Sequence, residues 1–291
     1  MLPVTISTAF AKLSTGEDVF YREAGTPSSP TVLLLHGFPS SSHQFRKMIP
    51  EIAEYYRVIA PDLPAYGFTT VPADYVYTFD NLAATIDTFL AEIPNPPKKY
   101  SMYMFDYGAP TGFRLALKNP EKVQAIITQN GNAYDEGLGV FWDPVRLLWA
   151  SGNSAATREA LLGMFTLEAT KSQYFVGTPN PSTIAPESYS LDQYLLDQPG
   201  NAAIQLDLLY DYRTNLAAYP RWQKWLRESQ VPVLVVWGKN DFIFLSPGAE
   251  AFKRDVKDAE VHLLDAGHFA AESHGKKIGA FVVEFLKRKK I

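Results

Sequence analysis

The sequence predicts an α/β fold: a mostly parallel sheet with helices on both faces and an inserted helical lid. Strand-length apolar runs alternate with helical periods from Thr31 to Asn130, and the alternation resumes at Val231, which predicts the sheet. Between them, residues 131–230 carry helical patterns and no convincing strand, which predicts the lid. The third observation is the stretch Tyr100 to Leu117, YSMYMFDYGAPTGFRLAL, where an apolar run turns at one polar residue, Asp106, straight into a helix. Residues 1–130 and 231–291 are therefore read as one core, and 131–230 as its insertion.

The elements follow in order. Thr5 to Leu13 and Val19 to Glu23 read as two strands around the turn Ser14-Thr15-Gly16. Thr31 to Leu35 is a buried strand, followed by His36-Gly37-Phe38-Pro39. Ser40 to Ser42 can cap an amphipathic helix over His43 to Tyr56. Val58 to Ala60 is the next strand, ending in PDLPAYG (61–67). Phe79 to Ile93 is helical by period, with Leu82, Ile86, Phe89 and Ile93 on one face. Ser101 to Phe105 is a strand, and the helix from Ala109 offers Phe113, Leu115 and Ala116 for packing. Val123 to Thr128 closes the first series. In the lid, Arg158 to Phe165 and Ala202 to Leu216 are the clearest helices, with Pro179, Pro181, Pro186, Pro199 and Pro220 as punctuation. Val231 to Trp237, a helix over Gly248 to Val256, Val261 to Leu264 and a helix over Lys276 to Lys289 complete the chain.

Composition excludes several classes of function. The 291 residues suit one large α/β domain with an insertion. A net charge of -4 gives no nucleic-acid footprint. Without cysteine there is neither a disulfide nor a thiolate metal site. The opening MLPVTISTAFAKL lacks the basic and apolar regions of a secretory leader, and no run of 18 apolar residues exists. The expected compartment is the cytoplasm. The basic tail Lys287 to Lys290 reads as the solvated end of a helix.

The chemistry is expected at strand ends, because ligands of open parallel sheets bind beyond the carboxyl ends of the strands. Asp106 stands at a strand-to-helix turn whose close approach needs a small residue two places on, and Gly108 supplies it. The usual residue there is Ser, in G-x-S-x-G, a motif this chain does not contain. A carboxylate needs no deprotonation at neutral pH and attacks saturated carbon, leaving an ester that water must hydrolyse. Taken alone, an Asp before a helix is more often an N-cap. Two further strand ends carry Asp241 and His268, in the order nucleophile, acid, base. His268 is the expected base toward water, and Asp241 the acid that orients its ring. Asp135 and Glu136, beyond the strand before the lid, are rivals for the acid. Backbone N–H groups of Phe38 and Tyr107 are the expected oxyanion donors, and His36 is expected to brace its loop.

HGFP, PDLPAYG, FDYGAPTGFRLA, WGKNDFIF and DAGHF together resemble the Asp-nucleophile branch of the α/β-hydrolases, which includes epoxide hydrolases and haloalkane dehalogenases. The resemblance covers nearly all of the chain outside the lid. It implies a small apolar organic substrate, water, and no metal or organic cofactor, and it leaves the oligomeric state open. Haloalkane dehalogenases carry a nitrogen donor after the nucleophile and in the HGNP loop; here those places hold Tyr107 and Phe38, which disfavours halide release. Epoxide hydrolases use lid tyrosines, and the stretch Tyr210 to Asn215 resembles the segment that bears one. The resemblance thus implies Tyr212 as the acid toward the epoxide oxygen, with Tyr210 and Tyr174 beside it in substrate binding. Tyr212 is read on one helical face with Leu208, Leu209 and Leu216. Met104 departs from the family pattern, in which a small residue stands two before the nucleophile, and implies an altered elbow contact. The expected activity is opening of an epoxide to a vicinal diol through an Asp ester. The alternatives are haloalkane dehalogenation and a non-catalytic binder of a small molecule on the same scaffold.

Overall fold

A computed structural model describes residues 4–291, so the first three residues of the leader reading lie outside the described residues. Eight strands form one sheet: β1 (Ser7–Lys12), β2 (Asp18–Ala24), β3 (Thr31–Leu35), β4 (Arg57–Pro61), β5 (Tyr100–Phe105), β6 (Val123–Gln129), β7 (Val233–Gly238) and β8 (Glu260–Leu264). Their order in space is β1-β2-β4-β3-β5-β6-β7-β8. β1 and β2 form an antiparallel hairpin and β2 runs antiparallel to β4, while every later pairing is parallel. β3, β4, β5 and β7 are buried along their whole length, as strands covered on both faces must be.

Helices α1 (Ile49–Ala53), α2 (Phe79–Glu92) and α3 (Gly108–Lys118) come before β6. Between β6 and β7 the sheet gains no strand; α4 (Asp143–Ala150), α5 (Ala155–Leu161), α6 (Leu167–Phe175), α7 (Pro186–Leu196), α8 (Asn201–Asp211) and α9 (Arg213–Ser229) lie there. α10 (Ser246–Asp255) and α11 (Ala270–Arg288) finish the chain. One apolar cluster packs α2 and α3 with lid residues such as Trp142, Leu209 and Trp222 against the sheet; the other packs α1 and α11 on the opposite face. The lid is fastened to the core by polar contacts: Tyr66 Oη donates to Gln205 Oε1 at 2.6 Å, Arg46 Nη2 to Ser188 Oγ at 2.8 Å, and Phe79 N to Asp211 Oδ2 at 2.8 Å. Trp222 of α9 stacks on Phe113 of α3, with ring centroids 5.0 Å apart.

Four helices differ from the sequence reading; the one expected over Arg158 to Phe165 is α5, which ends at Leu161, followed by a 3-10 segment, Leu162–Phe165. The helix expected over His43 to Tyr56 is a 3-10 segment, Ser42–Lys47, followed by the short α1, because Pro50 has no N–H to continue the ladder and suits only a helix start. The helix expected over Ala202 to Leu216 is two helices that meet at Tyr212, where an i+3 bond from Asn215 N to Tyr212 O (2.9 Å) interrupts the α ladder. The last helix begins at Ala270, earlier than the expected Lys276, with a kink at His274.

Candidate active site

Five strand ends converge on one point. Asp106 follows β5, the loop His36 to Phe38 follows β3, Asn130 follows β6, Asp241 follows β7 and His268 follows β8. Asp106 has a φ of 47°, the left-handed region that non-glycine residues seldom enter, so the turn points its carboxylate out of the sheet end. Glycines make the crowding possible. A Cβ on Gly37 would stand 2.2 Å from Asp106 Oδ1, and one on Gly108 the same distance from the carbonyl oxygen of Leu35. Met104 fits because Gly112 leaves it space: a Cβ there would lie 2.2 Å from Met104 Sδ.

Phe38 N–H donates to Asp106 Oδ1 at 2.7 Å, and the N–H of Tyr107 also holds the carboxylate. The other oxygen, Oδ2, lies 3.9 Å from His268 Nε2. That nitrogen is buried with no partner among the described residues, while Nδ1 is 2.7 Å from Asp241 Oδ2. Asp241 is held in turn by Ile243 N on Oδ1 and by Asn130 Nδ2 on Oδ2, both at 2.7 Å. Asn130 Oδ1 accepts from Gly238 N at 2.9 Å, so this residue ties the ends of β6 and β7 together. Its role was not visible in the sequence.

Burial raises the Asp106 pKa to about 6, against the stabilising charge of His268 and the two backbone N–H groups. Burial alone would lower the His268 pKa, but the Asp241 carboxylate overrides it, and the pKa lies above the ordinary imidazole value. His36 is braced as expected: Nε2 accepts from Leu63 N at 2.8 Å and Nδ1 lies 3.1 Å from Gly37 O. Burial lowers its pKa to about 4, so it is neutral at pH 7. Of the rival acids, Glu136 pairs with Arg254 on the surface and Asp135 lies in the same short 3-10 turn. Neither is bonded to His268.

The cavity over Asp106 is walled mainly by Phe38, Phe141, Trp142, Phe165, Leu209 and Ile243. It leaves about 20 Å³ for water centres, room for one water. Its polar members besides Asp106 are Tyr107 and Gln173; the Trp142 indole N–H is already given to Ile243 O at 2.9 Å. The lid tyrosines are elsewhere. Tyr212 does not line this cavity: its ring is wedged against Trp142 (4.4 Å between centroids), and its hydroxyl meets that of Tyr219 at 3.4 Å. Tyr212 keeps helical φ and ψ at the junction of α8 and α9, and it is buried in one apolar cluster with Leu208 and Leu209, against which Leu216 packs. Tyr174 gives its hydroxyl to buried Asp192 and stacks on Phe269, and Tyr210 lies on the surface beneath the Arg213 guanidinium. Tyr107, expected only as a backbone donor, is the tyrosine whose side chain borders the cavity. Burial raises the pKa of its phenol well above that of free phenol, and the Asp106 charge adds to the effect.

Residues 30–275 match the family described as alpha/beta hydrolase fold. The chain belongs to that family. It is 46% identical over 262 residues to a Saccharomyces cerevisiae protein named as an uncharacterized hydrolase, covering 89% of this chain and 90% of that one. It is 25% identical over 284 residues to epoxide hydrolase 3 of Mus musculus, covering 94% and 75%. Among solved structures, a loop variant of a haloalkane dehalogenase from Bradyrhizobium elkanii superposes with a TM-score of 0.80 at 22% identity, covering 98% of both chains, a likeness of fold. The chain is thus a hydrolase of the α/β-hydrolase fold. Among the described residues, no helix is long and apolar enough to cross a membrane.

Proposed function

We propose that this hydrolase opens a small epoxide to a vicinal diol through an ester on Asp106. The observation that carries the covalent route is the division of labour around one carboxylate. Oδ1 sits on backbone N–H groups, Oδ2 faces the unpartnered Nε2 of His268 at 3.9 Å, and Asp241 holds the far side of that ring. In the first step an Asp106 oxygen forms a bond to an epoxide carbon as the ring C–O bond breaks, and the alkoxide takes the Tyr107 hydroxyl proton. Tyr107 is assigned this role in place of Tyr212 because it is among the residues that line the cavity and Tyr212 is not. Esterification removes the Asp106 charge that helps hold a proton on His268, so the base is released when it is needed. A water then attacks the Asp106 carbonyl carbon. Phe38 and Tyr107 N–H stabilise the oxyanion, and the acyl C–O bond breaks. The two protons of that water pass to the departing oxygen and back to Tyr107, with Asp106 left ionised.

Halide displacement is the second reading. It is favoured by one observation: none of Tyr212, Tyr174 and Tyr210 lines the cavity over Asp106. The test is a panel of epoxides and haloalkanes, read as diol and as halide, with intact-mass analysis of His268→Gln. Diol formation by wild type and a substrate-sized adduct on His268→Gln are expected. Halide without diol overturns the epoxide reading, and no adduct where wild type turns over overturns the covalent one.

A further inference from the structure

Gln173 carries a buried acceptor for which no donor stands among the described residues. It sits on α6 with about 5% of its surface exposed, on the wall of the cavity that holds Asp106. Its Oε1 is buried and has no hydrogen-bond partner among the described residues. Its neighbours on that wall are Met164, Phe165 and Leu209, none of which can donate. Chain direction is not the cause. The adjacent Tyr174 anchors the other side of α6, through its hydroxyl on Asp192 and its ring stacked on Phe269 at 3.9 Å. That anchorage fixes the rotation of the helix, and one residue earlier, about 100° around the axis, Gln173 is turned into the cavity. A buried acceptor without a donor weakens the folded state, so an apolar side chain of the same shape would pack there at no loss.

We infer that Gln173 is the specificity-determining residue of the cavity and that it selects substrates carrying a hydroxyl or N–H next to the electrophilic carbon. The inference rests on the reading of Asp106 as the attacking group. The substrate's donor fills Gln173 Oε1 while its reacting carbon faces Asp106. A site built to bond a polar group discriminates against the analogue that lacks it, because its own group is then left unpaired.

The test compares two epoxides of equal size, hydroxymethyl oxirane and ethyl oxirane, on wild type and Gln173→Met. Wild type should prefer the hydroxyl-bearing epoxide in kcat/KM by about tenfold or more, the value of one buried hydrogen bond. Gln173→Met should bring that ratio to about one or invert it, while its melting temperature equals or exceeds that of wild type. An unchanged ratio overturns the inference. So does a fall of several degrees in melting temperature, which would show that the amide is a structural bond. Titration of the Asp106→Asn protein with the same pair reads the preference as a ratio of Kd without chemistry. That arm decides the role of Gln173 even if no ester forms on His268→Gln, so failure of this inference and failure of the covalent reading are told apart.

Discussion

The two walls of the cavity are built on different principles. On the sheet side almost every polar atom is matched: Asn130 bonds Asp241 and Gly238, Ile243 N holds the second Asp241 oxygen, and Asp241 holds His268. The open position there is His268 Nε2, which lies 3.9 Å from Asp106 Oδ2. On the lid side the walls are aromatic and aliphatic, and the polar side chain there, Gln173, has a buried Oε1 with no partner among the described residues. A saturated network is rigid and holds a proton path in one geometry. An unsaturated wall costs stability and waits for a ligand to complete it. On the proposed reading the chemistry belongs to the sheet, and the choice of substrate to the lid.

Three measurements press on this contrast. The largest effect is expected from Tyr107→Phe, which should slow epoxide alkylation by roughly 10²–10⁴-fold in single turnover, the usual worth of general acid assistance. Tyr212→Phe should change that rate only a few-fold and cost about 1 kcal/mol of stability for its lost contact with Tyr219. If the effects are exchanged, the acid is Tyr212 and the lid wall is not as described.

The second measurement is a pH profile. Attack requires ionised Asp106, whose pKa is raised to about 6 by burial. Activity from this group is present above that value and lost below it, so the alkylation rate should fall about tenfold per unit as pH drops through it. An acid limb centred near the ordinary carboxylate value would show that the carboxylate is better solvated than the packing implies.

The smallest effect is expected at Asn130, which sits at a φ of 50°. Asn130→Gly keeps that backbone conformation and removes only the side-chain bonds. Stability should fall by about 1–3 kcal/mol. Ester hydrolysis should slow more than ester formation, because Asp241 loses a partner and His268 its fixed orientation. Equal slowing of both steps would place Asn130 in general support of the fold.

The parts of the site legible in the sequence are those carried by local signals at strand ends. Asp106 with Gly108, the loop from His36 to Phe38, Asp241 and His268 each follow an apolar run that could be recognised as a strand, and the parallel sheet brings such ends together. The lid was legible as helical but not in detail. Which residues of a lid helix face inward depends on its rotation, and that is set by distant partners. Tyr174 was named from the sequence and Gln173 was not, yet Tyr174 is bonded to Asp192 and it is Gln173 that lines the cavity with Asp106. Tyr212 was placed by helical spacing that ends at that very residue. Asn130 could be read only as the end of a strand, because its reach to Asp241 depends on the pairing of β6 with β7. Pro50 was a missed local signal, since a proline deep in a helical period marks a new start.

The cavity described above has space for a single water. On the proposed epoxide route, a substrate larger than one water enters only as the cavity walls move, and the diol leaves by the same movement. Encounter with substrate then follows the clock of that breathing, in microseconds to milliseconds, rather than the clock of diffusion. On that route the ester would share the cavity with about one water, no more solvent than its own hydrolysis consumes.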